Sequence, residues 1–543
     1  MVTYCDGMSD SISPDSTDRE IDSGAPQVVT TLHLTPSRKI SSLVGMISGA
    51  LAVTTGMMVA ALGSVASPID AVGSSFIDRT PRWLKELAID WFGTNDKTAL
   101  RIGIVIVLIL VSLVSGSLSN KSPSPLISAI VIFSFLGALS ASERSGSTWV
   151  SIAAPCVGSI VGITIALILL RQINNQWLLK HFPRESQVPL GWDRRRFIRS
   201  ASTASVGAVV LGALAHNGEQ QRIDRIEAQI PDSLPGTVES SNNYDNASVS
   251  GELSYITPND DFYRIDTALS FPNVNLDSWQ LRIHGMVDSE IVLSYQDILD
   301  MPQIERTITI CCVSNEIGGP YIGNAVWQGV LLKDLLDQAG VHSDAEQLFS
   351  RSIDGWTSGF PIGVALDGRD AMLAIGMNGE PLPLEHGFPA RLIVPGIYGY
   401  VSATKWLKEI AINKWSDAMG YWIPLGWARD APIKTQSRID VPRKKQELQA
   451  GLNKIAGVAW AQHTGIEKVE VRIDDGEWNT TELSDDLTDD AWRLWTYDWM
   501  ATSGKHTIQV RATDKSGYTQ TDVVTSVAPD GATGWHTRKV EVA

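Results

Sequence analysis

Two adjacent cysteines, Cys311 and Cys312, lie in the stretch TITICCVSNEIGG (307–319) of a chain with four cysteines in 543 residues. Side chains alternate faces along an extended strand, so the two sulfurs cannot easily share one task. Thr-Ile-Thr-Ile is a run of β-formers, and the VSNEIGG that follows is polar and turn-like. A cysteine at such a junction has a fixed backbone and a sulfur that meets a cavity, which suits a thiolate ligand. Zinc is disfavoured, because no Cys or His partners stand at the usual spacings. Two other readings of the pair stay open: small buried hydrophobes, or a single nucleophile. Cys5 lies in a polar tail and Cys156 in an apolar run, so neither suggests a disulfide framework.

The elements that would position these cysteines belong to the second of two unlike halves. A net charge of −16 argues against a nucleic-acid partner, while a mean hydropathy of +0.01 is high for so acidic a chain. Residues 1–37 are rich in Ser, Asp and Thr and read as a disordered tail. Four apolar runs follow at 42–66, 99–119, 125–141 and 148–170, the third only about 17 residues long. They predict transmembrane helices rather than buried soluble ones, because they lie close together with few internal charges. Arg38 and Lys39 precede the first run, and Arg171, Lys180, Arg184, Arg194, Arg195, Arg196 and Arg199 follow the fourth. An even number of spans puts both groups on one side, the cytoplasm, and leaves the loops at 67–98 and 142–147 outside.

Residues 193–215, DRRRFIRSASTASVGAVVLGALA, resemble a twin-arginine export signal placed internally, with a basic anchor before a fifth span as the plainer reading. The membrane domain then covers 38–216, and either reading carries residues 217–543 outside. The twin-arginine route moves folded proteins, which suits a domain whose cofactor is inserted before export. Ala213-Leu214-Ala215 fits a small-x-small cleavage site, although retention is favoured. The four principal spans contain no histidine, so no membrane haem is expected. The absence of buried charges offers no ion path. An anchor or a docking surface is the remaining expectation.

From 252 to 425, strand-like runs (WQLRIHGMV, ERTITICCV, ARLIVPGIYG) mix with helical ones (YQDILDM, LKDLLDQAG), which predicts an α/β domain. From 432 to 543 the pattern turns all-β. KVEVRIDDGEW and KHTIQVRATDKSGYTQT alternate around tight turns, as in an immunoglobulin-like sandwich.

TICCVSNEIGG, AVWQGVLLKDLL and MNGEPLPLEHGFPARLIVPGIYGYVSATKWLKEI, in that order, resemble the sulfite oxidase family of molybdopterin enzymes, in a membrane-anchored bacterial form. The likeness covers roughly 252–543, the sandwich resembling the family's dimerisation domain. It implies that Cys312, within Cys312-Val313-Ser314-Asn315, is the molybdenum ligand, and that Cys311 fills the core. It implies cofactor contacts by Ser314, Asn315, His386, Arg391 and Lys405. Arg264 would lie near the metal and favour an oxyanion, Tyr421 would be the active-site tyrosine, and Arg493 would reach back to an anionic substrate. Trp535-His536 continues the likeness with no role to assign.

Two departures bear on the substrate. Sulfite oxidases follow Cys-x-x-Asn with two arginines, where this chain has Glu316 and Ile317, and a histidine often follows the first arginine, where this chain has Ile265 after Arg264. An acid in place of a cation weakens the hold on a small dianion. The expected function is two-electron oxygen-atom transfer at a molybdenum–molybdopterin cofactor, on a small polar or anionic molecule outside the membrane. Sulfoxide or N-oxide reduction is the alternative direction. No cytochrome b5-like domain is present in the sequence, so electrons should pass to a separate cytochrome or quinone-linked partner. A homodimer is implied by the resemblance. A cofactor-free binding protein is the reading from another class, and the intact Cys-x-x-Asn and HGFP-x-R motifs argue against it.

Overall fold

The computed structural model describes residues 37–81, 84, 87, 91–92, 96–144, 147–173, 194–239 and 253–543. The expected tail at 1–37, except Ser37, lies outside the described residues, as do Lys180 and Arg184.

The N-terminal half contains helices α1 (Arg38–Leu62), α2 (Pro68–Arg79), α3 (Asp96–Leu118), α4 (Ser124–Ser142), α5 (Trp149–Gln172) and α6 (Arg194–Glu227). All but α2 are long and apolar enough to cross a membrane. Helix α2 corrects the reading of 67–98 as plain loop. Its start was signalled by Ser67, whose side chain accepts from the Asp70 N–H, and by Pro68 in the first turn. Small residues let α1 approach its neighbours: a Cβ on Gly45 would fall 2.8 Å from Gly116 Cα in α3. Such close packing takes over from the hydrophobic effect where the surroundings are apolar. On α3, Ile109, Leu110, Val114 and Leu118 are exposed, a surface suited to hydrocarbon.

Helix α6 runs 34 residues without a break. Near its start Phe197, Ala201 and Ala204 pack into the helical core, and near its end Ile226 is buried in the core of the C-terminal half. Ala215, at the expected cleavage site, is buried in mid-helix. The end of α6 thus contributes to the core of the C-terminal half.

The first part of that half holds two sheets. The first orders strands β1 (Thr237–Glu239), β4 (Gln303–Cys311), β5 (Ile322–Leu331), β8 (Met372–Met377) and β10 (Arg391–Ile393), with β9 (Glu380–Pro381) paired to β8. The second orders β3 (Ile291–Ser294), β2 (Gln280–Gly285), β11 (Leu407–Asn413), β6 (Gln347–Ser352) and β7 (Thr357–Pro361). The expected helical runs form α7 (Tyr295–Asp300) and α8 (Leu332–Ala339). Strand β4 is buried on both faces over Thr307–Cys311, so the threonines that alternate with its isoleucines are buried as well.

The C-terminal region is β-rich, as expected. One four-stranded sheet orders β12 (Gln436–Val441), β13 (Gly451–Trp460), β17 (Arg493–Ala501) and β16 (Glu482–Leu483); the other orders β15 (Asn479–Thr480), β14 (Ile466–Ile473), β18 (Gly504–Asp514) and β19 (His536–Val542). Inward residues of both, among them Trp495, Val469 and Ile508, share one core.

Candidate active site

Strand β4 ends at Cys311, paired opposite Ile322 of β5. Cys311 is buried in the hydrophobic core, with its thiol donating to the Cys312 carbonyl at 3.4 Å. Cys312 lines a cavity of about 2530 Å³ that lies between the catalytic half and helices α1–α6. The alternation of the strand thus sends the two sulfurs to different environments. Burial pushes both thiols up; at Cys312 donation from the Ser314 N–H and hydroxyl works against it.

The Cys-x-x-Asn spacing acts through the backbone. The Asn315 N–H donates to the Cys312 carbonyl at 3.0 Å, and the Cys312 N–H to the Tyr321 carbonyl at 2.9 Å. Buried Asn315 then accepts from the Tyr321 N–H at 2.8 Å, which closes the β4–β5 connection. Asn315 locks the turn without lining the cavity, whereas Ser314 lines it.

Arg264, His386, Arg391 and Lys405 line the same cavity. The His386 Nε2 lies 2.9 Å from the Asn259 carbonyl, so it carries the proton and donates. Burial, then the neighbouring Arg391, hold this imidazole down at about 4, which makes it neutral near pH 7. Arg391 donates to the His386 carbonyl at 2.9 Å and stacks 4.9 Å from the Trp327 centroid. Its own burial lowers it to about 10, still a cation. Lys405, lowered to about 8 by burial, pairs with Asp266 at 2.6 Å. Arg264 meets the same carboxylate at 3.1 Å and lies over the Phe271 ring.

Two of the expected site residues lie elsewhere. Tyr421 is outside the cavity lining and donates to Asp78 of α2 at 2.7 Å. Arg493 stays within the C-terminal sheets, giving its guanidinium to the carbonyls of Ile466 at 2.9 Å and Ser484 at 2.6 Å. Neither residue lines the cavity that Cys312 lines. Conversely, two unanticipated residues join the cavity. Tyr263 is held well above the usual phenol range by burial and then by Cys312. Asp266 is 5% exposed. Burial alone would raise it, but Lys405, Lys97 and Arg264 together hold it well below the usual carboxylate range. Asp266 stands two places after Arg264, and that proximity was the one signal available for it.

The residues fit a molybdopterin. Among the described residues no group of three or more His, Cys, Asp and Glu side chains is placed to hold a bare metal ion. A metal that brings its own dithiolene sulfurs needs only the Cys312 thiolate. Arg391 has a buried Nε without a hydrogen-bond partner, a costly donor to leave unmet and one suited to phosphate or a ring heteroatom.

Residues 268–422 match the family model for the oxidoreductase molybdopterin-binding domain, and 430–543 that for the Mo-co oxidoreductase dimerisation domain. The chain is similar to the uncharacterized oxidoreductase YuiH of Bacillus subtilis, 36% identical over 148 residues, covering 27% of this chain and 71% of that one. It is 29% identical to mitochondrial sulfite oxidase of Homo sapiens over 323 residues, covering 50% of this chain and 59% of the human one, a little over half of that relative's length. A solved structure, sulfane dehydrogenase SoxCD from Paracoccus pantotrophus, matches at 24% identity and a TM-score of 0.47, covering 58% of this chain and 90% of that chain.

Proposed function

This chain belongs to the sulfite oxidase family of molybdopterin oxidoreductases, and from that membership we propose a membrane-anchored enzyme that exchanges an oxygen atom and two electrons with a small polar or anionic substrate on the outer side of the membrane. The observation that carries the proposal is Cys312, whose sulfur alone of the adjacent pair opens to the cavity lined by Arg264, His386, Arg391 and Lys405. When bound, the cofactor would supply the two-electron change and the site of oxygen exchange.

The chain's own residues divide the remaining work. Cys312 would hold the metal, with the Ser314 donors favouring its thiolate. Arg391 and Lys405 would neutralise the pterin phosphate, while neutral His386 keeps its ring oriented on Asn259 and offers Nδ1 as an acceptor. Arg264 would attract an oxyanion to the metal. Glu316 and Ile317 also line the cavity, and this observation favours a second direction, reduction of a neutral sulfoxide or N-oxide.

Arg194, Arg195 and Arg196, exposed at the start of α6, support a cytoplasmic start and an outer catalytic half. We read the C-terminal sheets as an immunoglobulin-like sandwich that joins two copies of the chain. Electrons would pass to a separate cytochrome or quinone-linked carrier rather than to a haem of this chain.

The test is molybdenum content of protein from a cofactor-making host. About one metal per chain in the wild type and in Cys311→Ser, with the metal lost or its spectrum altered only in Cys312→Ser, is the expected result. Well-folded wild type without molybdenum would overturn it.

A further inference from the structure

The helical half reaches into the wall of the cofactor pocket. Lys97, in the first turn of α3, donates to Asp266 Oδ1 and, at 2.9 Å, to the Ala268 carbonyl. One turn on, Arg101 donates to the Leu269 carbonyl and pairs with Asp70 of α2 at 2.8 Å. Residues 266–269 are therefore gripped from the helical side, two places beyond Arg264 in the chain.

A carboxylate as buried as Asp266 stays ionised only if it is paired. Its pairing is divided by oxygen: Oδ2 serves Lys405 at 2.6 Å and Arg264 at 3.1 Å, and Oδ1 serves Lys97. This division fixes the carboxylate plane. Without Lys97, Oδ1 would lose its cation, and rotation of the carboxylate would let it compete for Lys405 and Arg264. Both would then be drawn away from the cavity they line.

We propose that Lys97 is a positioning residue of the cofactor site, acting through Asp266 on Lys405 and Arg264, so that α3 completes the pocket in addition to anchoring the chain. This rests on the molybdopterin reading above. Lys97 itself need touch neither cofactor nor substrate. Its role is to keep two other cations where an anionic group can use them.

The test uses the full-length protein in detergent, as wild type, Lys97→Met, Lys97→Arg and Arg101→Gln. The last disturbs the same docking surface without touching Asp266. Two quantities are read: molybdenum retained per chain after extended dialysis, and the line positions of the paramagnetic molybdenum signal. Lys97→Met should lose molybdenum about tenfold faster, as for outer partners of other metal sites, and shift the signal. Lys97→Arg should restore both, and Arg101→Gln should match wild type. Should Lys97→Met fail to fold, Lys97→Gln, which keeps a donor for the Ala268 carbonyl, is read in the same way. Wild-type retention and signal in the uncharged variant would overturn the proposal. So would equal losses in Lys97→Met and Arg101→Gln with an unmoved signal, which would reduce the contact to docking. Wild type lacking molybdenum would instead remove the molybdopterin reading and this inference with it.

Discussion

The Tyr421 hydroxyl donates to Asp78 Oδ1 across 2.7 Å, which ties the catalytic half to the short helix α2. Asp78 also takes Arg144 at 2.6 Å, so the tyrosine completes a three-member link between loops that flank candidate spans. Tyr421→Phe should cost about 1.5–3 kcal/mol, the usual worth of a hydrogen bond to a charged group. Thermal unfolding of the full chain measures this. The molybdenum spectrum should stay unchanged, whereas a tyrosine acting at the metal would alter it.

Asp266→Asn removes the one carboxylate that gathers Lys97, Lys405 and Arg264. Leaving buried cations without their partner costs about 3–5 kcal/mol. Lys405→Met should be destabilising alone but much less so in the Asp266→Asn background, because the pair is already broken. Denaturant unfolding of the two single variants and the double variant gives that coupling; additive losses would count against the pairing.

The pocket was legible at the residues carried by short motifs and illegible where distant segments meet. Cys312 could be separated from Cys311 because strand periodicity is local, and the family likeness then assigned the outward sulfur. His386, Arg391 and Lys405 sit within 20 residues of one another, on one strand and the turns beside it. Asp266 acquires its role from Lys97, which is 169 residues away, and hydropathy marks Lys97 only as the edge of an apolar run. Arg493 is placed among the C-terminal sheets. Its surroundings match the family, but local likeness does not fix the direction of a long side chain, and here nearby carbonyls take the guanidinium.

His386 gives the protein a defined acid response. Its imidazole sits at about 4 in the fold against an ordinary 6.5. Between those values the unfolded chain binds a proton that the folded chain does not. Stability should therefore be full above pH 6.5 and fall as pH drops toward 4, by up to about 3 kcal/mol. His386→Gln should flatten this window in melting curves collected from pH 7 to pH 4; an unchanged slope would assign the acid response to other groups.

Gly318 closes the cysteine loop against the C-terminal sheets. It has φ +72°, and a Cβ there would run into the His536 imidazole, whose Nδ1 accepts from the Ile439 N–H at 2.9 Å. Gly318→Ala should cost about 1–3 kcal/mol through backbone strain alone, with His536 displaced in addition. Lower melting temperature together with faster molybdenum loss would locate the damage at the loop. This contact also gives His536 a place: it buttresses the turn that presents Cys312.

Helix α6 behaves as a drive shaft. Because it passes unbroken from the helical core at Phe197 to the catalytic core at Ile226, the angle between the two halves is set by helical phase. One inserted residue turns everything beyond it by about 100° and advances it about 1.5 Å. A single alanine added near Gly212 would thus swing Asp266 out of reach of Lys97 even though neither residue is altered. Seven added residues, close to two full turns, would restore the bearing but lift the halves apart by about 10 Å. The pocket is in this sense timed by the length of a helix that takes no part in its chemistry.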